Sequence, residues 1–227
     1  MLRIERLEGR FATRGSARWL RGTEQRFGGK ISHVERRLVS PLDPRSPTRI
    51  ARGGMTGGDR MSRVHHNYAP SYARHLKRWR GEGSRPTVVE VGILRGSGLA
   101  IWSELFPEGT VIGLDVDLSH FLENTEDLRA RGAFPRGLPR SMVFDAYDPD
   151  VAELTELLDG RRIDVVIDDG PHTVEAIISV ATALRPLLAD RFTYFVEDNP
   201  ESLHPLDDVL RPRRTVRGSG GLVIAWT

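Results

Sequence analysis

With 227 residues, 39% of them hydrophobic, the chain can bury one sizeable core, and no apolar run approaches the roughly 20 residues of a membrane span. Having no cysteine, it can form neither a disulfide framework nor a thiolate zinc site, so any metal must be held by oxygen or imidazole. The net charge of +2 conceals an asymmetry: residues 1–80 carry 19 Lys and Arg against 6 Asp and Glu, and the rest of the chain is acidic.

The start, Met1-Leu2-Arg3-Ile4-Glu5-Arg6, has no signal-type apolar region, which sets the expectation of a cytoplasmic protein with no membrane partner. Two units are expected, a basic N-terminal extension over 1–80 and an α/β domain over 81–227. Residues 1–40 give weak helical signals, and 41–63, rich in Pro, Gly, Ser and Arg, predict an irregular connection or mobile lid. Met55 to Ser62 has little to hold it in one conformation by itself. Tyr68, Tyr72, His75, Leu76 and Trp79 then share one face of a predicted helix. That stripe serves either as a packing face or as a substrate platform, and His65 and His66 just before it are candidate ligand contacts. A basic arm can meet nucleic acid, its own acidic domain or a neighbouring subunit. This one lacks the interleaved aromatics of a stacking surface, so nucleic acid is disfavoured.

Thr87-Val88-Val89-Glu90-Val91, then Gly92-Ile93-Leu94-Arg95-Gly96-Ser97-Gly98, then an apolar helix, predicts a buried strand, a glycine turn and a helix of nucleotide-binding type. The glycine spacing departs from the dinucleotide G-x-G-x-x-G pattern, and Glu90 would oppose a pyrophosphate but suit a cationic ligand. Val111 to Leu114 predicts a strand ending in Asp115, placed to accept from ribose hydroxyls. Ser141 to Phe144 predicts another, ending in Asp145. Asp164 to Asp168 reads as a strand buried on both faces, with Asp168, Asp169 and His172 crowding its end. Thr193 to Val196 predicts a further strand, ending in Glu197-Asp198. An apolar helix lies between these last two, so a right-handed βαβ unit would bring both acidic ends to one sheet edge. Asp169, Glu197 and Asp198 could then converge on one hard cation, for which oxygen ligands suit Mg²⁺. The plainer reading has Asp169 starting a turn and His172 capping the next helix.

Glu90-x-Gly92-x-x-x-Gly96, then Asp115, then Asp145, resembles the class I S-adenosylmethionine-dependent methyltransferases over about residues 87–227. The resemblance implies a Rossmann-like, mostly parallel sheet with an antiparallel C-terminal strand. It also implies S-adenosylmethionine contacts at Gly92, Asp115 and Asp145, with Glu90, Ser97 and Asp168 beside them. The Asp169-Gly170-x-His172 turn followed by Glu197-Asp198 is similar to the metal-dependent sugar O-methyltransferases of macrolide and enediyne antibiotic pathways, the mycinamicin and calicheamicin type. That likeness implies Mg²⁺ on Asp169, Glu197 and Asp198, and His172 as base; Pro171 stands where serine is common. It implies further that a sugar hydroxyl of a glycosylated natural product is the acceptor, near His65, His66, Tyr68 and Tyr72. An alcohol at neutral pH is a poor nucleophile, and a cation with a nearby imidazole would remedy that. The arm is then expected to support a homo-oligomer and cover the acceptor site. A catechol or phenol acceptor, a cephalosporin-hydroxylase-like role and an RNA methyltransferase are the alternatives.

Overall fold

The computed structural model describes residues 12–28, 32–52 and 55–227. The first eleven residues and Lys30, part of the basic arm read from the sequence, lie outside them. In the arm, α1 (Ala17–Gly28) is followed by a two-stranded antiparallel pair, β1 (Ser32–Val34) with β2 (Met55–Gly57), and the short helix α2 (Pro47–Arg52) lies between those strands. The expectation of an irregular 41–63 is thereby corrected. Met55–Gly57 gains its partner from Ser32–Val34 far upstream, Ser32 standing against Gly57 and Val34 against Met55, a pairing no local signal announces. Just beyond, the Met61 amide donates to both oxygens of Glu24 on α1, at 2.9 and 2.8 Å.

The predicted aromatic helix is α3 (Ala69–His75), tightening into a 3₁₀ turn over Leu76–Trp79. Tyr72 packs on Trp102 and Phe195 with ring centroids 5.1 and 4.5 Å apart, so the stripe is a packing face.

A seven-stranded sheet follows: β3 (Thr87–Val91), β4 (Thr110–Asp115), β5 (Arg140–Val143), β6 (Ile163–Asp168), β7 (Leu188–Val196), β8 (Arg214–Arg217) and β9 (Val223–Trp226), in the order β5-β4-β3-β6-β7-β9-β8. β3 to β7 are mutually parallel, and β9 alone runs against its neighbours β7 and β8. This is the Rossmann-like sheet expected. Strand order reverses between β3 and β6, which opens a crevice at their carboxyl ends, where ligands bind in such sheets.

Alternation along the strands supplies two cores. Val88, Val165, Ile167 and Phe195 face one layer with α1, α3, α4 (Ser97–Leu105) and α5 (Ser119–Ala130). Val89, Val91, Val166 and Tyr194 face the other, with α6 (Ala152–Leu158), α7 (Val174–Leu184) and α8 (Leu203–Leu210). Burial on both faces is why these strands read as unbroken apolar runs. Trp19, Leu20 and Phe27 of the arm join the first core, so the arm is built into the hydrophobic layer. Among the described residues no helix is long and apolar enough to cross a membrane.

Candidate active site

β3 and β6 end side by side, with Val91 opposite Asp168, and the Asp169 amide donates to the Val91 carbonyl at 2.8 Å. There the chain turns at Gly92, with φ at +80°, and a Cβ on it would sit 2.1 Å from the Asp169 carbonyl oxygen. Only glycine tolerates both that backbone and that approach. The turn borders a cavity of about 350 Å³, within the range of small-ligand sites. Ser97, at the N-terminal end of α4, also lines it.

Asp115 accepts the amides of Ile93 and Leu94 at 2.8 and 3.0 Å on one oxygen, and that of Asp117 at 3.0 Å on the other. Burial raises its pKa, and the three amides work against that rise. Asp145 accepts from the Tyr147 amide at 2.9 Å and from the Ser40 hydroxyl at 2.6 Å. Gly92, Ser97, Asp115 and Asp145 thus share one cavity wall, with Leu38, Val39 and Ser40 of the arm laid across it.

At the other end, β6 and β7 pair in parallel with Asp168 opposite Val196, which carries Asp169, Glu197 and Asp198 to the same edge. His172 and Asp198 both hold left-handed backbones, φ +58° and +57°, a conformation costly for residues with a Cβ and frequent where function demands it. Thr173, not His172, caps α7, its hydroxyl accepting from the Ala176 amide at 3.2 Å. The imidazole is therefore left to face the cavity, with Nε2 3.7 Å from Asp169 Oδ1 and 3.9 Å from Asp198 Oδ2. One ligand atom from each of Asp169, His172 and Asp198 lies within 4.8 Å of the others, so the two carboxylates offer oxygens to a hard cation with the imidazole beside them, whereas Glu197 is outside that group and is held by Arg60 and Tyr72. Asp198 resists the rise that burial would cause. Hydrogen bonds from His66 and Tyr68 hold it down at about 2, so it stays an anion.

Arg60 of the arm, missed in the sequence reading, joins acids from three strand ends, two of them buried. Its guanidinium reaches Glu90 at 2.7 Å, Asp169 Oδ2 at 2.6 Å and Glu197 at 2.9 Å. Glu90, 1% exposed, does not line the cavity. The cation expected for it is this arginine, and Gly98 leaves room for the pair, since a Cβ there would lie 2.0 Å from Glu90 Oε1. Burial raises the pKa of Glu197 well above the carboxylate range, opposed by Arg60, and Glu197 also accepts the Tyr72 hydroxyl.

Several sequence candidates stand elsewhere than expected. Asp168 lies beneath the cavity rather than on its wall, 2% exposed, with the Tyr194 hydroxyl 3.3 Å away; burial pushes its pKa up to about 7. The last residue of β6 points with the strand's period into the core, and the turn carries Asp169 outward instead. Tyr68 and Tyr72 are fully buried and hold Asp198 and Glu197 by their hydroxyls, so they support the acids and do not meet the cavity. His65 is exposed and off the cavity wall. His66 does line it, bridging Asp198 at 2.9 Å and Asp59 at 3.5 Å, and those two hydrogen bonds raise its pKa to about 10. Among the described residues, three arginines of the arm pair with the acidic domain: Arg26 with Glu104 and Arg37 with Glu123 at the surface, and Arg60 with the strand ends within. Of the three partners open to a basic arm, its own acidic domain is the one these residues meet.

No protein-family model matches the chain. It is 30% identical over 178 residues to 8-demethyl-8-alpha-L-rhamnosyl tetracenomycin-C 2'-O-methyltransferase of Streptomyces olivaceus, covering 74% of the chain and 42% of that protein. Demethylmacrocin O-methyltransferase of Streptomyces fradiae is 33% identical over 142 residues, 59% of the chain and 32% of that protein. Mycinamicin VI 2''-O-methyltransferase of Micromonospora griseorubida is 30% identical over 141 residues, 59% of the chain and 31% of that protein. The chain spans less than half the length of these curated relatives. Among solved structures, the MycE methyltransferase of the mycinamycin biosynthetic pathway, in complex with Mg and SAH, superposes with a TM-score of 0.53 at 23% identity, over 70% of the chain and 49% of that structure. The resemblance read from the glycine turn and the acidic strand ends thus holds in sequence and in fold: the chain has the class I methyltransferase fold and resembles sugar O-methyltransferases of antibiotic pathways.

Proposed function

We propose that this chain is an S-adenosylmethionine-dependent O-methyltransferase acting, with a divalent cation such as Mg²⁺, on a sugar hydroxyl of a glycosylated natural product. One observation carries the proposal. A single cavity joins the Gly92 turn and Asp115 to the Asp169, His172 and Asp198 cluster. The likeness to enzymes named for methylating rhamnosyl tetracenomycin, demethylmacrocin and mycinamicin supports the acceptor class.

The residues fit both groups. Gly92 keeps the turn open, Asp115 and Asp145 present acceptors, and Leu38, Val39, Ile93 and Phe144 supply apolar wall for a nucleoside. Asp169, Asp198 and Glu197 all line the cavity and are the proposed metal ligands; Glu197 has lone pairs beyond those given to Arg60 and Tyr72. When bound, the cation orients neighbouring sugar oxygens and lowers the pKa of the attacking hydroxyl. His172 Nε2 then accepts the hydroxyl proton, and the left-handed turn holds that nitrogen toward the cluster. Arg60 and His66 offset the charge of the acids they touch.

The inward pairing of the arm's arginines favours a small glycosylated acceptor over nucleic acid. We assign the arm to lid and assembly roles, with a homo-oligomer and a cytoplasmic setting as the accompanying proposals. Calorimetry with S-adenosylhomocysteine, with and without Mg²⁺, followed by methyl transfer to glycosylated macrolides, tests the reading. Binding of the nucleoside and Mg²⁺-dependent transfer to a sugar hydroxyl are expected. No binding, or transfer indifferent to chelation, overturns it.

A further inference from the structure

Two residues beyond Asp115, the chain presents a second carboxylate that the glycine-loop pattern does not mark. Asp117 lines the same cavity and is 8% exposed. Its Oδ1 accepts the Ser119 amide at 2.9 Å. Its Oδ2 is shielded from solvent and has no hydrogen-bond partner among the described residues. The nearest basic group, His120 Nε2, stands 3.9 Å off and is engaged with the Glu35 carbonyl at 2.9 Å. A buried carboxylate oxygen left without a donor is costly, so a donor from outside the chain is the economical partner.

Lone-pair counting says what kind of donor. A carboxylate offers about four acceptor positions. Asp115 has filled three with the amides of Ile93, Leu94 and Asp117, which leaves it room for about one more. Asp117 adds the open Oδ2. The Asp117 amide donates to Asp115 Oδ1 at 3.0 Å, and both residues line the cavity. A vicinal diol supplies two neighbouring O–H donors, which a lone hydroxyl does not, and the nucleoside proposed above carries one.

We propose that Asp117 is a second ribose-binding residue, dividing the 2'- and 3'-hydroxyls of the nucleoside with Asp115. The inference rests on the S-adenosylmethionine reading above and deepens it: the donor must carry an intact cis-diol. The segment bearing Glu35 helps fix the geometry by occupying His120, which would otherwise compete for Oδ2.

The test is calorimetric titration of the full chain with S-adenosylhomocysteine and with its 2'-deoxy and 3'-deoxy analogues. Asp117→Ser keeps a hydroxyl to accept the Ser119 amide and removes Oδ2. Asp117→Asn keeps the shape and removes the charge, and serves if the first variant does not fold. Wild type should bind S-adenosylhomocysteine, and Asp117→Ser should bind it about 10–100-fold more weakly, the loss of one charge-assisted hydrogen bond. Deleting one of the two hydroxyls should cost wild type a similar factor and cost the variant almost nothing further. Equal affinity of wild type and variant for S-adenosylhomocysteine overturns the role of Asp117 alone. Equal penalties for both analogues in both proteins do the same. Failure of wild type to bind any of the three nucleosides overturns the cofactor reading itself, and this inference with it.

Discussion

Both ends of the cavity are lined with carboxylates, but they are held in different ways. At the glycine end, Asp115 takes two of its hydrogen bonds from amides 22 and 21 residues back along the chain. Its partners are backbone, and part of its acceptor capacity stays open. At the histidine end, Glu197 is held by Arg60, 137 residues away, and by Tyr72, 125 residues away. Side chains of the arm do that work, and they neutralise charge as well as orient it. Under the function proposed above, the difference separates a site for hydroxyls, which needs free acceptors, from a site for a cation and a proton, which needs several anions kept close without mutual repulsion. Backbone amides can orient one carboxylate, but only a countercharge lets three share a few ångströms.

The comparison can be broken most decisively at the histidine end. His172→Ala should cut turnover by roughly 10²–10⁴-fold, as loss of a general base does, while Mn²⁺ binding followed by paramagnetic resonance is retained. Asp198→Asn should lose the metal signal. If His172→Ala keeps full turnover, the proton acceptor lies elsewhere.

Arg60 is next. Arg60→Met strands Glu90, 1% exposed, without its countercharge, and should destabilise the chain by about 3–5 kcal/mol in urea unfolding. Arg60→Lys should recover only part, because one ammonium cannot fork to three carboxylates. A variant as stable as wild type would mean that the acids do not depend on the arm.

At the glycine end the effect should be smaller and confined to the nucleoside. Asp115→Ala should weaken S-adenosylhomocysteine binding by about 1–3 kcal/mol and leave Mn²⁺ affinity intact. Loss of both would show that the two ends are one coupled unit.

The smallest effect concerns Glu24, whose burial raises its pKa from 4.5 to about 7 against the Met61 amide that lowers it. Because the folded value is the higher one, the stability contributed by the neutral carboxyl is complete below about pH 4.5 and is lost as pH rises through about 7. Glu24→Gln stays neutral, so its melting temperature should gain on wild type by a few degrees at pH 8 relative to pH 5. A gap independent of pH would show that Glu24 does not titrate differently on folding.

Much of the sheet could be read from residues alone. β-Branched runs, Thr87-Val88-Val89 and Val165-Val166-Ile167, marked β3 and β6, glycines marked the turn after β3, and acids at successive strand ends marked the crevice. Parallel pairing of β6 and β7 followed from the helix between them, and with it the placing of Asp169, Glu197 and Asp198 at one sheet edge. Such features depend on periodicity, turn chemistry and crossover handedness, which are local or nearly so. The arm was opaque for the opposite reason. Nothing near Met55 shows that it pairs with Val34, and nothing near Arg60 distinguishes it from the arginines around it. Which of Asp168 and Asp169 faces the cavity turned on where β6 ends, a single-residue question that strand pairing answers and composition does not. Asp117 was visible in the sequence two residues after Asp115, yet the burial of its Oδ2 without a hydrogen bond shows only in the folded chain. Strand ends follow from short-range physics, whereas the partners of a buried charge are chosen by whatever the fold packs against it.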